Sequence, residues 1–229
     1  MHNERRVLKF PLSEKVFHNV NLITWIGLTI TGVLIYFDLL SAENAELMMD
    51  WHIGIGVAFT VNFFGFVVLN FDRFMLMMRN LLIWDLDTFR WFKNFGNYPR
   101  RLFKINFGPE EVAPQGRFNA GQKAAYLIFM FMIFGLIVSG WLLYAYPAAM
   151  GKIYTKWMFY FHVWGSILTS VLAFCVHMPL AIINTEDLKA MFRFGDGDVP
   201  LEDAHHHAPK WVEQDLMAVD TDIRLTSHH

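Results

Sequence analysis

The stretch WMFYFHVWGSILTSVLAFCVHMPLAII (157–183) decides the fold. It contains no Asp, Glu, Lys or Arg, and it is longer than the roughly 20 apolar residues a bilayer crossing needs. Lipid offers no partner to backbone polar groups, so a run of this kind satisfies them internally as a helix. Three further stretches share its character: about Phe17–Leu40, Trp51–Phe71 and Ala124–Tyr146. The chain has 229 residues, of which 55% are hydrophobic and 17% charged, below the roughly 25% charged residues usual in soluble domains. The pattern predicts an all-α, integral membrane four-helix bundle. Residues 1–184 form its transmembrane domain, with a long loop at 72–122, and residues 185–229 form a polar tail. The first sixteen residues are polar and basic, and the apolar run after them has the length of a full span, so the reading is an uncleaved first helix rather than a signal peptide. The net charge of −2 gives no reason to expect a nucleic-acid partner. One cysteine, Cys175, excludes an internal disulfide and a Cys-ligated cluster, and reads as a small buried apolar residue.

The distribution of Lys and Arg predicts the orientation. The segment before the first span carries four, the segment between the second and third spans nine, and the tail four. The connection at 41–50 carries none, and the connection at 147–156 carries only Lys152 and Lys156. Seventeen against two places both termini and the 72–122 loop in the cytoplasm by the positive-inside rule. Within that loop TFRWFKNF (88–95) mixes aromatic and basic residues as an interfacial amphipathic helix does.

That orientation sorts the histidines by depth. His2, His205-His206-His207 and His228-His229 lie outside the spans, and four remain within or at the edge of them. His52 and His162 fall near the outer face, and His18 and His177 near the cytoplasmic face. Two pairs on facing helices are what two six-coordinate b-type haems need, with one imidazole on each side of each iron. At about 1.5 Å per residue, His162 and His177 are roughly 22 Å apart along their helix. Their fifteen-residue spacing leaves them about 60° apart in azimuth, an offset that a one-residue π-bulge absorbs. The third span has no histidine and is expected to supply packing or a quinone pocket. Gly27, Gly32, Gly54, Gly56 and Gly165 offer close-approach points, although small residues are common at any membrane helix contact.

Other readings of the same residues stay open. A haem-free membrane anchor would use the histidines as hydrogen-bonded packing groups. A metal-ion transporter would be expected to set carboxylates beside them, yet Asp38 and Asp50 lie at span edges. Asn119 and Gln122 in GRFNAGQK (116–123) have the spacing of a capping box at the start of the third span.

With those residues in view, the chain resembles the gamma (cytochrome b) subunit of membrane-bound respiratory formate dehydrogenases, related to the cytochrome b subunits of nickel–iron hydrogenases. The likeness covers nearly the whole chain. It rests on GRFNAGQK, on SEKVFHNVNLITWIGLTITG (13–32), on HIGIG (52–56), on FHVWGS (161–166) followed by CVHM (175–178), and on HHHAPKW (205–211). The resemblance implies two haem b groups on His18, His52, His162 and His177, in the pairs His52/His162 and His18/His177. It implies menaquinone as substrate, in a site near the inner haem lined by Asn119, Gly121, Gln122 and His177. It implies an iron–sulfur partner subunit at the outer face, a catalytic subunit beyond it, and a complex of the inner (cytoplasmic) membrane that can assemble further. No catalytic residue is expected in the chain itself. A hydrogenase or a sulfur-compound reductase is the alternative host complex. The spacing of the last two histidines is one residue longer than the family pattern.

Overall fold

The computed structural model describes residues 5–216 and 223–224, so His2, His228 and His229 lie outside the described residues. In chain order the first elements are β1 (Arg6–Phe10), α1 (Leu12–Tyr36), α2 (Ala42–Leu69), α3 (Phe71–Leu82), α4 (Leu86–Trp91) and α5 (Tyr98–Phe103). They are followed by α6 (Ala120–Ala145), α7 (Pro147–Leu172), a π turn (Ala173–His177), α8 (Met178–Ile183) and α9 (Thr185–Phe192). The chain closes with β2 (Gly197–Pro200), α10 (Leu201–His207), a second π turn (Trp211–Leu216) and β3 (Ile223–Arg224). Among the described residues four helices are long and apolar enough to cross a membrane: α1, α2, α6 and the continuous span Pro147–Ile183. The protein is an all-α membrane bundle with a small sheet that its sequence does not announce.

Both short connections shrink relative to expectation. Residues 42–50 are helical, because Ser41 accepts a hydrogen bond from the Asn44 amide at 3.5 Å and Glu43 sits in the first turn, where the helix dipole favours an anion. Residues 147–156 open α7, with Pro147 at its first position and a kink at Gly151, whose φ of +72° suits glycine.

The chain folds as two compact units. The helical unit comprises Ser13–Phe71 and Ile128–Ile183. Its apolar core is small, formed by Phe59, Phe63 and Ile137 with Phe17, Trp25, Leu28, Val67, Met130 and Ile133 packed against it. Polar braces tie the helices together at this level. Trp25 Nε1 donates to Ser170 Oγ at 3.1 Å, Thr29 Oγ1 lies 3.1 Å from the same oxygen, and Asn62 Nδ2 donates to Asn21 Oδ1 at 2.9 Å. In hydrocarbon such bonds replace the missing hydrophobic drive between helices, at about 0.6 kcal/mol each. Only 6–17% of the residues in each span's most apolar window are buried within the chain, and the rest of each span's surface is available to lipid.

The π turn Ala173–His177 follows from the sequence. Pro179 has no N–H to give Cys175 and its ring crowds that carbonyl, so a regular turn fails there. The Met178 amide bonds instead to the Ala173 carbonyl, five residues back, and one extra residue is taken into the turn. Cys175 is exposed, not buried as expected from its residue type. It is two residues from His177, which puts it on the opposite side of the helix.

The second unit comprises Met1–Leu12, Asp72–Leu127 and Asn184–His229. Its antiparallel sheet has the order β2-β1-β3. Val7 pairs with Val199 and Phe10 with Gly197, with an irregularity between Leu8 and Phe10. A Cβ on Gly197 would lie 2.8 Å from Phe10 Cβ and 2.9 Å from the Ala190 carbonyl, so only glycine fits. The core joins Val7, Phe10 and Val199 to Ala190, Ala204, Ala208 and Trp211. Part of the polar tail is therefore folded against the N-terminal strand. Lys9, only 5% exposed, bonds both carboxylate oxygens of Asp187 at 2.7 and 2.8 Å. TFRWFKNF begins in α4, whose Asp85 and Thr88 form a reciprocal cap. Asn94 then fixes the loop beyond, donating to the carbonyls of Pro109 and Glu111 at 2.9 Å.

Lys210 anchors the tail by bonding Asp85 Oδ2 at 2.6 Å and Asp87 Oδ2 at 2.7 Å. Partial burial works to raise the Asp85 pKa, but hydrogen bonds from Lys210 and Thr88 override it and hold the carboxyl below its ordinary range. The Lys210 bond likewise lowers Asp87. Burial opposes the Lys210 charge, and the two carboxylates outweigh it, raising its pKa. Depressed carboxylates contribute stability above their unfolded pKa of about 4 and lose it as pH falls through the lower folded value, while Lys210 contributes below about 10.4 and loses it as pH rises through its raised value. Solvent screening keeps each pair to about 0.2–1 kcal/mol. Lys210→Met is expected to raise amide exchange, corrected for intrinsic rates, across 201–216. In the unsubstituted chain that protection is expected to persist at pH 4 and to decay only below it.

Candidate functional site

The helical unit brings its four histidines together in two pairs. The His52 and His162 rings have centroids 6.3 Å apart, and the His18 and His177 rings 6.4 Å apart. Each pair joins α7 or its π turn to another span, and no aromatic ring overlap explains the spacing, because the planes are inclined at 77° and 52°. A metal–imidazole bond of about 2 Å plus about 1.2 Å from the nitrogen to the ring centre puts two trans axial rings roughly 6.4 Å apart. Both pairs have this separation.

The His52 and His162 rings are each held by a hydroxyl on a neighbouring span. His52 Nδ1 lies 2.7 Å from Thr31 Oγ1, whose hydroxyl donates to the Gly27 carbonyl at 2.8 Å. With the hydroxyl proton on that carbonyl, the Nδ1–H tautomer of His52 has Thr31 Oγ1 as its acceptor. His162 Nδ1 lies 3.0 Å from Ser139 Oγ, which donates to the Leu136 carbonyl at 3.2 Å. Both tautomers therefore leave the Nε2 lone pair for a metal. Each hydroxyl is followed by a glycine beside the ring, and at Gly140 a side chain would crowd it. A Cβ on Gly32 would stand 3.4 Å from His52 Cε1, and one on Gly140 would stand 3.1 Å from His162 Cε1. Thr31, Ser139 and Gly140 were not singled out by the sequence reading. The signal was present as the dipeptides Thr31-Gly32 and Ser139-Gly140, each on a span without the ligand it orients. The third span, without a histidine of its own, contributes this orientation.

The other pair is held differently. His18 Nδ1 is 3.4 Å from Asn19 Oδ1, and the Phe129 ring stands edge-on to His177 at 5.7 Å. Thr169 and Ser170 lie between the two levels on α7 and are buried.

Asn119, Gly121 and Gln122 lie in the second unit. The Asn119 amide donates to Gln122 Oε1 at 3.0 Å and the Gln122 amide donates to Asn119 Oδ1 at 2.9 Å, a capping box that starts α6. Gly121 lies under Trp91, and a Cβ there would come within 2.7 Å of the indole. The box uses the two side-chain oxygens and leaves the amide nitrogens Nδ2 and Nε2 outside it. Of the tail histidines, His205 Nε2 lies 2.8 Å from Glu213 Oε1 and His207 Nε2 lies 3.6 Å from Asp203 Oδ1. Among the described residues no group of three or more His, Cys, Asp or Glu is placed to hold a metal ion, so the histidine pairs stand apart from a conventional metal cluster.

Ser139→Ala and Thr31→Val each remove the acceptor that fixes one ring tautomer. Each is expected to weaken a group bound between His52 and His162 by about 10–100-fold while leaving the His18/His177 level unchanged, read as loss of one spectral component on washing or dilution.

Residues 9–194 match the family described as prokaryotic cytochrome b561. No curated protein matches the chain. The match takes in all four spans and all four paired histidines, most of the chain's length. The two ring spacings suit the haem b that this family of membrane electron-transfer proteins binds. The chain belongs to the prokaryotic cytochrome b561 family, as a multi-pass membrane cytochrome b.

Proposed function

We propose that the chain is the dihaem membrane subunit of a respiratory oxidoreductase of the formate dehydrogenase type. It holds one haem b between His52 and His162 and a second between His18 and His177. Haem iron with two imidazole ligands supplies reversible one-electron transfer. The observation that carries the reading is the ring spacing of 6.3 and 6.4 Å, the span of two metal–nitrogen bonds and two half-rings. Thr31 and Ser139 offer the His52 and His162 rings a hydrogen-bond partner at Nδ1, and Gly140 clears space for the His162 ring. Helix α7 with its π turn spaces the two levels fifteen residues apart.

The topology proposed with it has both termini, the 72–122 segment and the 185–229 tail in the cytoplasm of an inner-membrane protein. The Lys and Arg distribution supports this. A partner iron–sulfur subunit docks at the outer face and links the chain to a catalytic subunit. The electron acceptor is menaquinone, with Asn119 Nδ2 and Gln122 Nε2 as donors to a quinone carbonyl and Gly121 beside them. The support for that part is that the capping box occupies only their oxygens. Protons for the quinol come from the cytoplasmic side, so electron movement inward builds membrane potential.

His52→Ala is expected to halve the haem content of the purified protein and to remove one of two components from a redox titration of the reduced-minus-oxidised spectrum. Loss of the component that His18→Ala removes would overturn the pairing. Absence of any b-type α band from the unsubstituted protein would leave the chain as a haem-free anchor, and zinc or copper in place of iron would favour a transporter. Identification of the subunits that co-purify separates a formate dehydrogenase from a hydrogenase or a sulfur-compound reductase.

A further inference from the structure

On α7, His162 and Thr169 are seven residues apart and therefore about 20° apart around the helix. They share one inward seam: His162 faces His52 at 6.3 Å, and Thr169 is 2% exposed. A straight helix would continue that seam to Val176. Ser170 lies about 100° away from Thr169, on the side where α7 meets α1 directly, through Trp25 at 3.1 Å and Thr29 at 3.1 Å. In a straight helix His177, seven residues after Ser170, would lie on that direct-contact side. A 3.1 Å contact between two hydroxyls, as at Thr29 and Ser170, leaves no width on that side for two imidazoles and a group bound between them. The structure instead has Val176 48% exposed and His177 opposite His18.

We propose that the π turn Ala173–His177, imposed by Pro179, is a positioning device that returns His177 to the His162–Thr169 seam. By taking in one residue it makes fifteen positions count as about fourteen helical steps, two heptads, and rotates His177 by roughly 100° away from the line of Ser170. Pro179 acts through His177 and touches no bound group. The inference rests on the dihaem reading above, and it adds a residue and a backbone feature to which that reading is indifferent.

Two variants test it by haem content per chain, low-spin electron paramagnetic resonance and midpoint potential in the full-length purified protein. The first deletes Cys175 and carries Pro179→Ala, so that a regular helix presents the histidine at fourteen residues. It is expected to keep both haem signals with potentials close to those of the unsubstituted protein. Loss of either signal in this variant overturns the proposal. The second exchanges neighbours, Val176→His with His177→Val. It is expected to lose the inner signal and keep the outer one, and retention of both overturns the proposal. An unsubstituted protein that holds no b-type haem fails the dihaem reading itself, and one that holds two while the deletion loses one fails this inference alone.

Discussion

The helical unit sets two imidazole rings opposite each other twice, at nearly the same separation of 6.3 and 6.4 Å, the distance that a metal held between two such rings requires. Side chains packed only against each other would close a gap of this kind. Here the spans bury little of their own apolar surface, and the small Phe59–Phe63–Ile137 core with the Trp25–Ser170 brace sits between the two levels. Burying an imidazole is costly unless its nitrogens are satisfied, and at the His52/His162 level hydroxyls of Thr31 and Ser139 partner one nitrogen of each ring and leave the other.

The two levels reach the same separation by different means. The His52/His162 pair relies on side chains: a hydroxyl and a glycine on a neighbouring helix for each ring. The His18/His177 pair relies on backbone: a widened turn before Pro179 sets the azimuth of one ring, and Phe129 limits its freedom. Substitutions at the outer level therefore act on ring tautomer and tilt, whereas changes near Pro179 act on helix register. The second unit uses water-phase chemistry instead. A buried Lys9–Asp187 pair and the Lys210 bridge to Asp85 and Asp87 join the tail to the N-terminal strand and to the start of α4. Removing one member of the buried pair leaves an uncompensated charge, which is the costly way to break it.

The spans were legible because hydropathy over 20 residues is a coarse signal, and the nearness of the histidine rings was legible because successive spans run in opposite directions and bring residues of matched depth together. The helix ends were less so: Ser41 and Pro147 extend α2 and α7 into segments whose polarity suggested loops. The sheet was missed because RVLKF reads as a basic leader, and its partner GDVP lies some 190 residues away, where no local pattern points to it. The capping box at Asn119 and Gln122 was legible from spacing alone. The Thr-Gly and Ser-Gly supports were not, because their meaning depends on which helix each faces. The fifteen-residue spacing pointed to a π turn, and Pro179 locates it.

The most direct test of the central claim is the haem-to-polypeptide ratio of the purified full-length chain, from its pyridine haemochrome spectrum and iron content. Two paired sites predict two b-type haems per chain, both low-spin with two histidine ligands. One haem per chain, or an iron-free protein that folds and inserts normally, would contradict it.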